Sequence, residues 1–129
     1  GHGEILSAVG GPNAVFGINF NCSQTADGGA VCVGGEARGD YTDAAAGVEL
    51  RFDGALLSGG PALGFNNCMT GVLNYTARMR LGSGTVLVFA CDNGRPGEGK
   101  DFVAIKVLTG PFAGYTNAGF LTTGNLTAH

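Results

Sequence analysis

Two apolar runs in the second half of the chain, Thr85–Cys91 (TVLVFAC) and Asp101–Leu108 (DFVAIKVL), constrain the fold more than any other stretch. Val, Ile, Phe and Thr are β-branched or aromatic, and such runs suit buried or half-buried strands. Between them lies the loop Asp92–Asp101, whose Gly94, Pro96, Gly97 and Gly99 interrupt both helix and ladder. The unit therefore reads as two long central strands joined by a structured turn.

Composition extends that reading to the whole chain. With 129 residues there is one domain and one core. The 25 glycines follow no three-residue period, and apolar runs lie between them, which points to strands and turns rather than to collagen or disorder. The expected fold class is all-β, an antiparallel β-sandwich of jelly-roll or immunoglobulin-like type with disulfide staples, covering 1–129 without an internal boundary. A net charge of −3 with scattered basic residues gives no footprint for nucleic acid. No apolar run is long enough for a membrane span. A start at Gly1 rather than Met fits a mature secreted product or an excised domain.

Along the chain, about nine or ten strands are expected. EILSAV (4–9) is the first, ended by Gly10, Gly11 and Pro12. In AVFGINFNC (14–22), Phe16, Ile18, Phe20 and Cys22 share a face; a turn, SQTADGGA, and a partner strand, VCVGGEARGDY, follow. TDAAAG (42–47) is the one place for a helical turn. GVELRFDG sets Val48, Leu50 and Phe52 inward against Glu49, Arg51 and Asp53, and 54–67 reads as loop. CMTGVLNYTARMRL puts Leu73, Tyr75, Ala77, Met79 and Leu81 on one face and Asn74, Thr76, Arg78 and Arg80 on the other, and Gly82-Ser83-Gly84 reads as a hairpin turn. Residues 109–119 read as a loop or broken strand before a closing strand, FLTTGNLTA.

Four cysteines without a C-x-x-C pair, and without a histidine near any of them in sequence, point to disulfides in an oxidising compartment rather than to zinc. If the first hairpin centres on Asp27, Cys22 stands opposite Cys32, and facing strand residues lie within disulfide reach. Cys22–Cys32 is then one bridge, which leaves Cys68–Cys91 as the other.

The acidic loop is the one ligand constellation. Asp92, Asn93, Glu98 and Asp101 offer oxygens to a hard cation such as calcium, and glycine lets carbonyls turn inward. Against this, the spacing is not that of an EF-hand, Arg95 and Lys100 offset the charge, and a fixed turn with Asp92 bonded to nearby amides accounts for the same residues. No other cofactor is expected. Catalysis has little to work with: the histidines, His2 and His129, lie at the chain ends, no G-x-S-x-G occurs, and Asp40 and Asp43 read as solvated turn residues. Asn21, Asn74 and Asn125 each begin an N-x-[ST] acceptor tripeptide. The aromatics read as core, with Tyr41 and Tyr115 the most exposed.

The segment Asp92–Phe102 (DNGRPGEGKDF) and the ending Gly124–His129 (GNLTAH) resemble the post-COAP-like domains of secreted bacterial proteins. So do the opening Gly1, Gly3, Ile5, the strand Phe16-Gly17-Ile18-Asn19-Phe20, and a Y-x-D element within Glu36–Asp43. Ala44 stands where that family often has His after Y-x-D. The resemblance runs the whole chain in order and implies an extracellular β module without an assigned catalytic activity.

Two functions are weighed. The first is a non-enzymatic structural protein on an extracellular surface, a homo-polymer whose strand Glu4, Ile5, Leu6, Ser7, Ala8, Val9 pairs with the next subunit and builds a filament by donor-strand exchange. The second is a monomeric module that holds a cation, glycan or protein on the 92–101 loop.

Overall fold

The computed structural model describes residues 2–26, 31–61, 68–77, 82–92 and 101–125. Among the described residues nine antiparallel strands form one sheet: β1 (His2–Ile5), β2 (Ala14–Ala26), β3 (Val31–Asp43), β4 (Val48–Pro61), β5 (Cys68–Ala77), β6 (Ser83–Cys91), β7 (Phe102–Val107), β8 (Thr116–Phe120) and β9 (Thr123–Asn125). Their order is β8-β7-β6-β5-β4-β3-β2-β1-β9, so every neighbour is also a sequence neighbour except β1 and β9. The all-β antiparallel class holds. Among the described residues its finer form is a single curled meander in which all nine strands belong to one hydrogen-bonded sheet, so the expected two-layer sandwich is not confirmed.

Alternation explains the curl. On each strand the apolar parity turns inward: Phe16 and Ile18 on β2, Ala37 and Tyr41 on β3, Val48, Leu50 and Phe52 on β4. Leu73, Tyr75 and Ala77 continue it on β5, Val86 and Val88 on β6, and Val103, Ile105 and Val107 on β7. These buried groups form one core cluster, which the sheet must wrap to keep it from water.

The wrap closes because the last segment serves both edges. β8 pairs with β7, the Leu121 amide donates to the Asp101 carbonyl, the Thr122 amide donates to the Glu4 carbonyl, and β9 pairs with β1. Leu121 is buried at the changeover. In the closing register Gly3 faces Gly124. Gly124 has φ +96°, and a Cβ there would lie 2.3 Å from the His2 carbonyl oxygen, so the two backbones approach more closely than a side chain allows.

The end of the wall near the β7–β8 connection is plugged by Phe112, which is buried in the core cluster. Its amide donates to the Tyr75 hydroxyl, and that hydroxyl donates to the Thr109 carbonyl at 2.8 Å.

Several expectations move by a few residues, each for a physical reason. The first strand is His2–Ile5, not 4–9; Leu6 to Gly11 turn away to reach β2. Residues 54–61 belong to β4, although the glycines there read as loop, because β5 pairs alongside with register irregularities near Arg51–Ser58. The 3-10 turn Ala44–Ala46 falls where a helical turn was expected. Ser83 and Gly84 are already in β6, so the β5–β6 turn lies earlier, closed by the Ala77 amide donating to the Gly82 carbonyl. The Thr85 run is β6 and the Phe102 run is β7, and they lie toward one end of the strand order rather than at its centre. Met79 and Leu81 lie outside the described residues.

Leu121→Ala is expected to lower unfolding free energy in urea by about 2–5 kcal/mol, as truncations of buried Leu do. Leu6→Ala, on a side chain 66% exposed beside the same seam, is expected to change it by less than about 0.5 kcal/mol. Equal losses would contradict a closure sealed at Leu121.

Candidate functional site

Asp43 ends β3 on the inward parity of Tyr41, and it is fully buried. Its carboxylate collects donors from three places. Ser7 Oγ donates to Oδ1 at 2.6 Å, and the Ala8 amide donates to Oδ2 at 3.0 Å. The Tyr115 hydroxyl donates to Oδ2 at 2.6 Å, and the Ala46 amide adds a backbone bond from the 3-10 turn. A buried carboxylate needs such company, because desolvation of an unpaired charge is costly.

The network continues beyond Tyr115. The Tyr41 and Tyr115 hydroxyl oxygens lie 2.7 Å apart. Since Tyr115 spends its one proton on Asp43, Tyr41 donates to Tyr115. Asn117 Nδ2 then donates to the Tyr41 oxygen and to the Leu6 carbonyl, both at 2.9 Å. Asn117 Oδ1 accepts the amide of Ala118. All the dipoles point toward one anion, and they tie the N-terminal turn, the end of β3 and the start of β8.

The electrostatics follow from that geometry. Burial works to raise the pKa of Asp43, but the bonds from Ser7, Tyr115, Ala8 and Ala46 outweigh it and hold the carboxyl below its ordinary value of 3.8. Burial, and then the bond to Asp43, push the Tyr115 hydroxyl far above its ordinary value. Burial likewise raises Tyr41, against the bonds from Tyr115 and Asn117.

Sequence reasoning missed this site. Asp43 is not a solvated turn residue, and Tyr41 is buried rather than exposed; Tyr115 is half-buried, its ring 6.0 Å from that of Tyr41 in an edge-to-face contact. The signal that could have found it is parity: Ala37, Tyr41 and Asp43 share the inward face of one strand. The aromatics are not all core either. Phe89, Phe102 and Phe120 stack edge to face on neighbouring strands, with centroids 6.1 Å and 5.3 Å apart, and Phe120 is 58% exposed.

The expected sites stand as follows. Cys68 faces Cys91 in the β5–β6 register and the two form a disulfide with Cα atoms 4.0 Å apart. Cys22 does not face Cys32: it faces Gly35, and Cys32 faces Thr25, because the β2–β3 register is centred beyond Asp27 and shifts around Gln24. The side chains of Cys22 and Cys32, and with them the bridge between the two, lie outside what the structure describes. So do Asn93 and Glu98 of the acidic loop. At its two feet, Asp92 is half-buried and Asp101 fully buried. Among the described residues no three His, Cys, Asp or Glu side chains converge on a common point.

Of the proposed contact strand, Glu4 and Ile5 lie in β1, which is paired on both sides, to β2 and to β9. Ile5 is fully buried, and Glu4 accepts a bond from Thr123 Oγ1. Ser7 and Ala8 bind Asp43, while Leu6 and Val9 are exposed.

No family model, curated protein or solved structure matches the chain. Some of the motif positions quoted from the sequence lie at the closure: Gly3 faces Gly124, and the Y-x-D element supplies Tyr41 and Asp43.

A carboxylate with a depressed pKa contributes stability above its unfolded-state value, and loses that contribution as pH falls through its folded-state value. Denaturation midpoints of the wild type should therefore fall as pH drops below about 4, through the carboxyl range, more steeply than those of Asp43→Asn. Parallel acid limbs would contradict an ionised, bonded Asp43.

Proposed function

We propose that this chain is a non-catalytic, extracellular structural subunit that assembles head to tail by exchanging its first strand. One observation carries the reading. The first strand, β1, fills a slot between β2 and β9, and its connection to β2 is a turn rather than a packed element. Gly10 and Gly11 in that turn have positive φ, and Pro12 follows them. Segment 6–13 spans up to about 27 Å when extended, which suffices to carry β1 to a neighbour.

An exchanged β1 would remake the same ladders and bury the same Ile5, now in another copy. Closed and exchanged states then differ little in contacts, and concentration decides between them. Each copy gives one strand and receives one, so the contact is heterologous and propagates. Among the described residues the strand order ends on two short strands, β8 of 5 residues and β9 of 3, which offer little edge for β pairing to another chain and favour exchange as the route. The Cys68–Cys91 disulfide supports an oxidising, extracellular setting.

A second reading has its own observation. The register that sets Cys91 opposite Phe102 makes Asp92 and Asp101 the next facing positions, with Asp101 buried. Two carboxyl groups at the foot of the 92–101 loop suit a monomeric module that holds calcium, a glycan or a protein there.

Size measurement at rising concentration separates the readings. The full chain is expected to form linear oligomers, and the chain lacking residues 1–9 to remain a soluble, disulfide-bonded monomer. Adding the peptide GHGEILSAVG should cap the truncated chain and raise its melting temperature. A truncated chain that still polymerises, or a full chain that stays monomeric at high concentration, would overturn the proposal.

A further inference from the structure

We propose that Asp43 is a latch on the first strand: by gripping Ser7 and Ala8 from the end of β3, it holds the hinge shut and so controls whether β1 stays in its own slot or passes to another copy. This rests on the strand-exchange reading and adds its control point.

The geometry places the grip on the hinge itself. β1 ends at Ile5, β2 begins at Ala14, and the bonds to Asp43 come from the residues between. Beyond them the connector has few ties before Asn13, whose Nδ2 donates to Thr122 Oγ1 at 3.2 Å. Val9 is 67% exposed, a Cβ on Gly10 would meet nothing within 4 Å, and one on Gly11 would meet only Ala45 Cβ at 3.4 Å. Ser7 also accepts the Val9 amide, so the turn is folded around the same hydroxyl that Asp43 holds. Releasing Ser7 and Ala8 frees the turn, whereas the β2–β7 wall has its own ladders and disulfide.

The latch is held by polar donors rather than by a salt bridge. The N-terminal turn brings Ser7 and Ala8, the 3-10 turn brings the Ala46 amide, β3 brings the Tyr41 phenol, and the start of β8 brings the Tyr115 phenol and the neutral Asn117. Tyr41 and Tyr115 are thus the titratable groups facing Asp43 in this network, and both stay protonated well past neutrality. A hinge held by one carboxylate is a point at which small changes shift a swapping equilibrium. Loss of charge on Asp43 weakens the bonds from Ser7, Ala8, Ala46 and Tyr115 together, because each of these is made to the anion.

The test uses the full chain at neutral pH, with amide hydrogen exchange and sedimentation read on the same samples. Asp43→Asn is expected to speed exchange at residues 2–9 at least tenfold, to leave the amides of β5 and β6 protected, and to increase the rate of oligomer formation by a similar factor. Ser7→Ala and Tyr115→Phe, which keep the carboxylate and remove one donor each, should give smaller changes in the same direction, and they serve if Asp43→Asn does not fold. Tyr75→Phe, at the Phe112 plug, should leave residues 2–9 protected. Unchanged protection at 2–9 in the Asp43 and Ser7 variants would overturn the latch, even if the wild type assembles. Loosening of β5 and β6 to the same degree as β1 would also overturn it, because Asp43 would then be an ordinary core support. Loosened 2–9 without any oligomer, in variants and wild type alike, would overturn the exchange reading on which the latch depends.

Discussion

A sheet that wraps an apolar core has to satisfy both of its edges, and here one stretch of chain does so. Residues 116–120 take the β7 edge, 123–125 take the β1 edge, and Leu121 and Thr122 hand over between them through the Asp101 and Glu4 carbonyls. Everything inward depends on that handover, because a wall left open would expose the core from Ile5 to Ile105. Where β8 and the N-terminal turn run side by side, side chains take over from the backbone ladder: Asn117 bonds the Leu6 carbonyl, and Tyr115 and Ser7 meet on Asp43.

That substitution has an energetic consequence. Backbone ladders are cooperative and spread over many residues, whereas side-chain ties concentrate the closure on few groups. A carboxylate that accepts bonds from two hydroxyls and two amides is well satisfied as an anion, and poorly satisfied once neutral. The closure is thus firm in ordinary conditions and sensitive to a single group. The opposite arrangement holds on β5 and β6, where an unbroken run of facing pairs and a disulfide join the strands. The molecule therefore has a fixed wall and a fastened flap, and the flap is β1 with its connector.

Much of the wall was legible in the sequence. Period-two alternation gave the inward faces of Val48-Leu50-Phe52 and Leu73-Tyr75-Ala77 directly, since side chains on a strand take opposite sides. The Ala44–Ala46 turn and the Cys68–Cys91 bridge were legible too. The register of β2 on β3 was not, because a displaced centre moves every facing pair and a local irregularity displaces the Gln24 pair, and no local signal records either. Closure was not legible for a related reason: β1 and β9 meet across nearly the whole chain, and short glycine-rich strands carry almost no pattern. Asp43 was misread because a lone carboxylate beside Thr42 and a run of alanines looks like a turn residue, and only the assembled fold brings Ser7 and Tyr115 to it. The outward Phe89, Phe102 and Phe120 were misread as core because alternation gives two faces and does not by itself say which one is inside.

The central claim is that one ionised carboxylate fastens the flap to the wall, and NMR titration of the Asp43 side-chain carboxyl in the intact chain tests it most directly. The account expects that carbon to titrate below the ordinary value of 3.8, with the Ala8 amide proton moving along the same curve. A carboxyl that titrates at or above the ordinary value, with an Ala8 amide indifferent to it, would contradict the account.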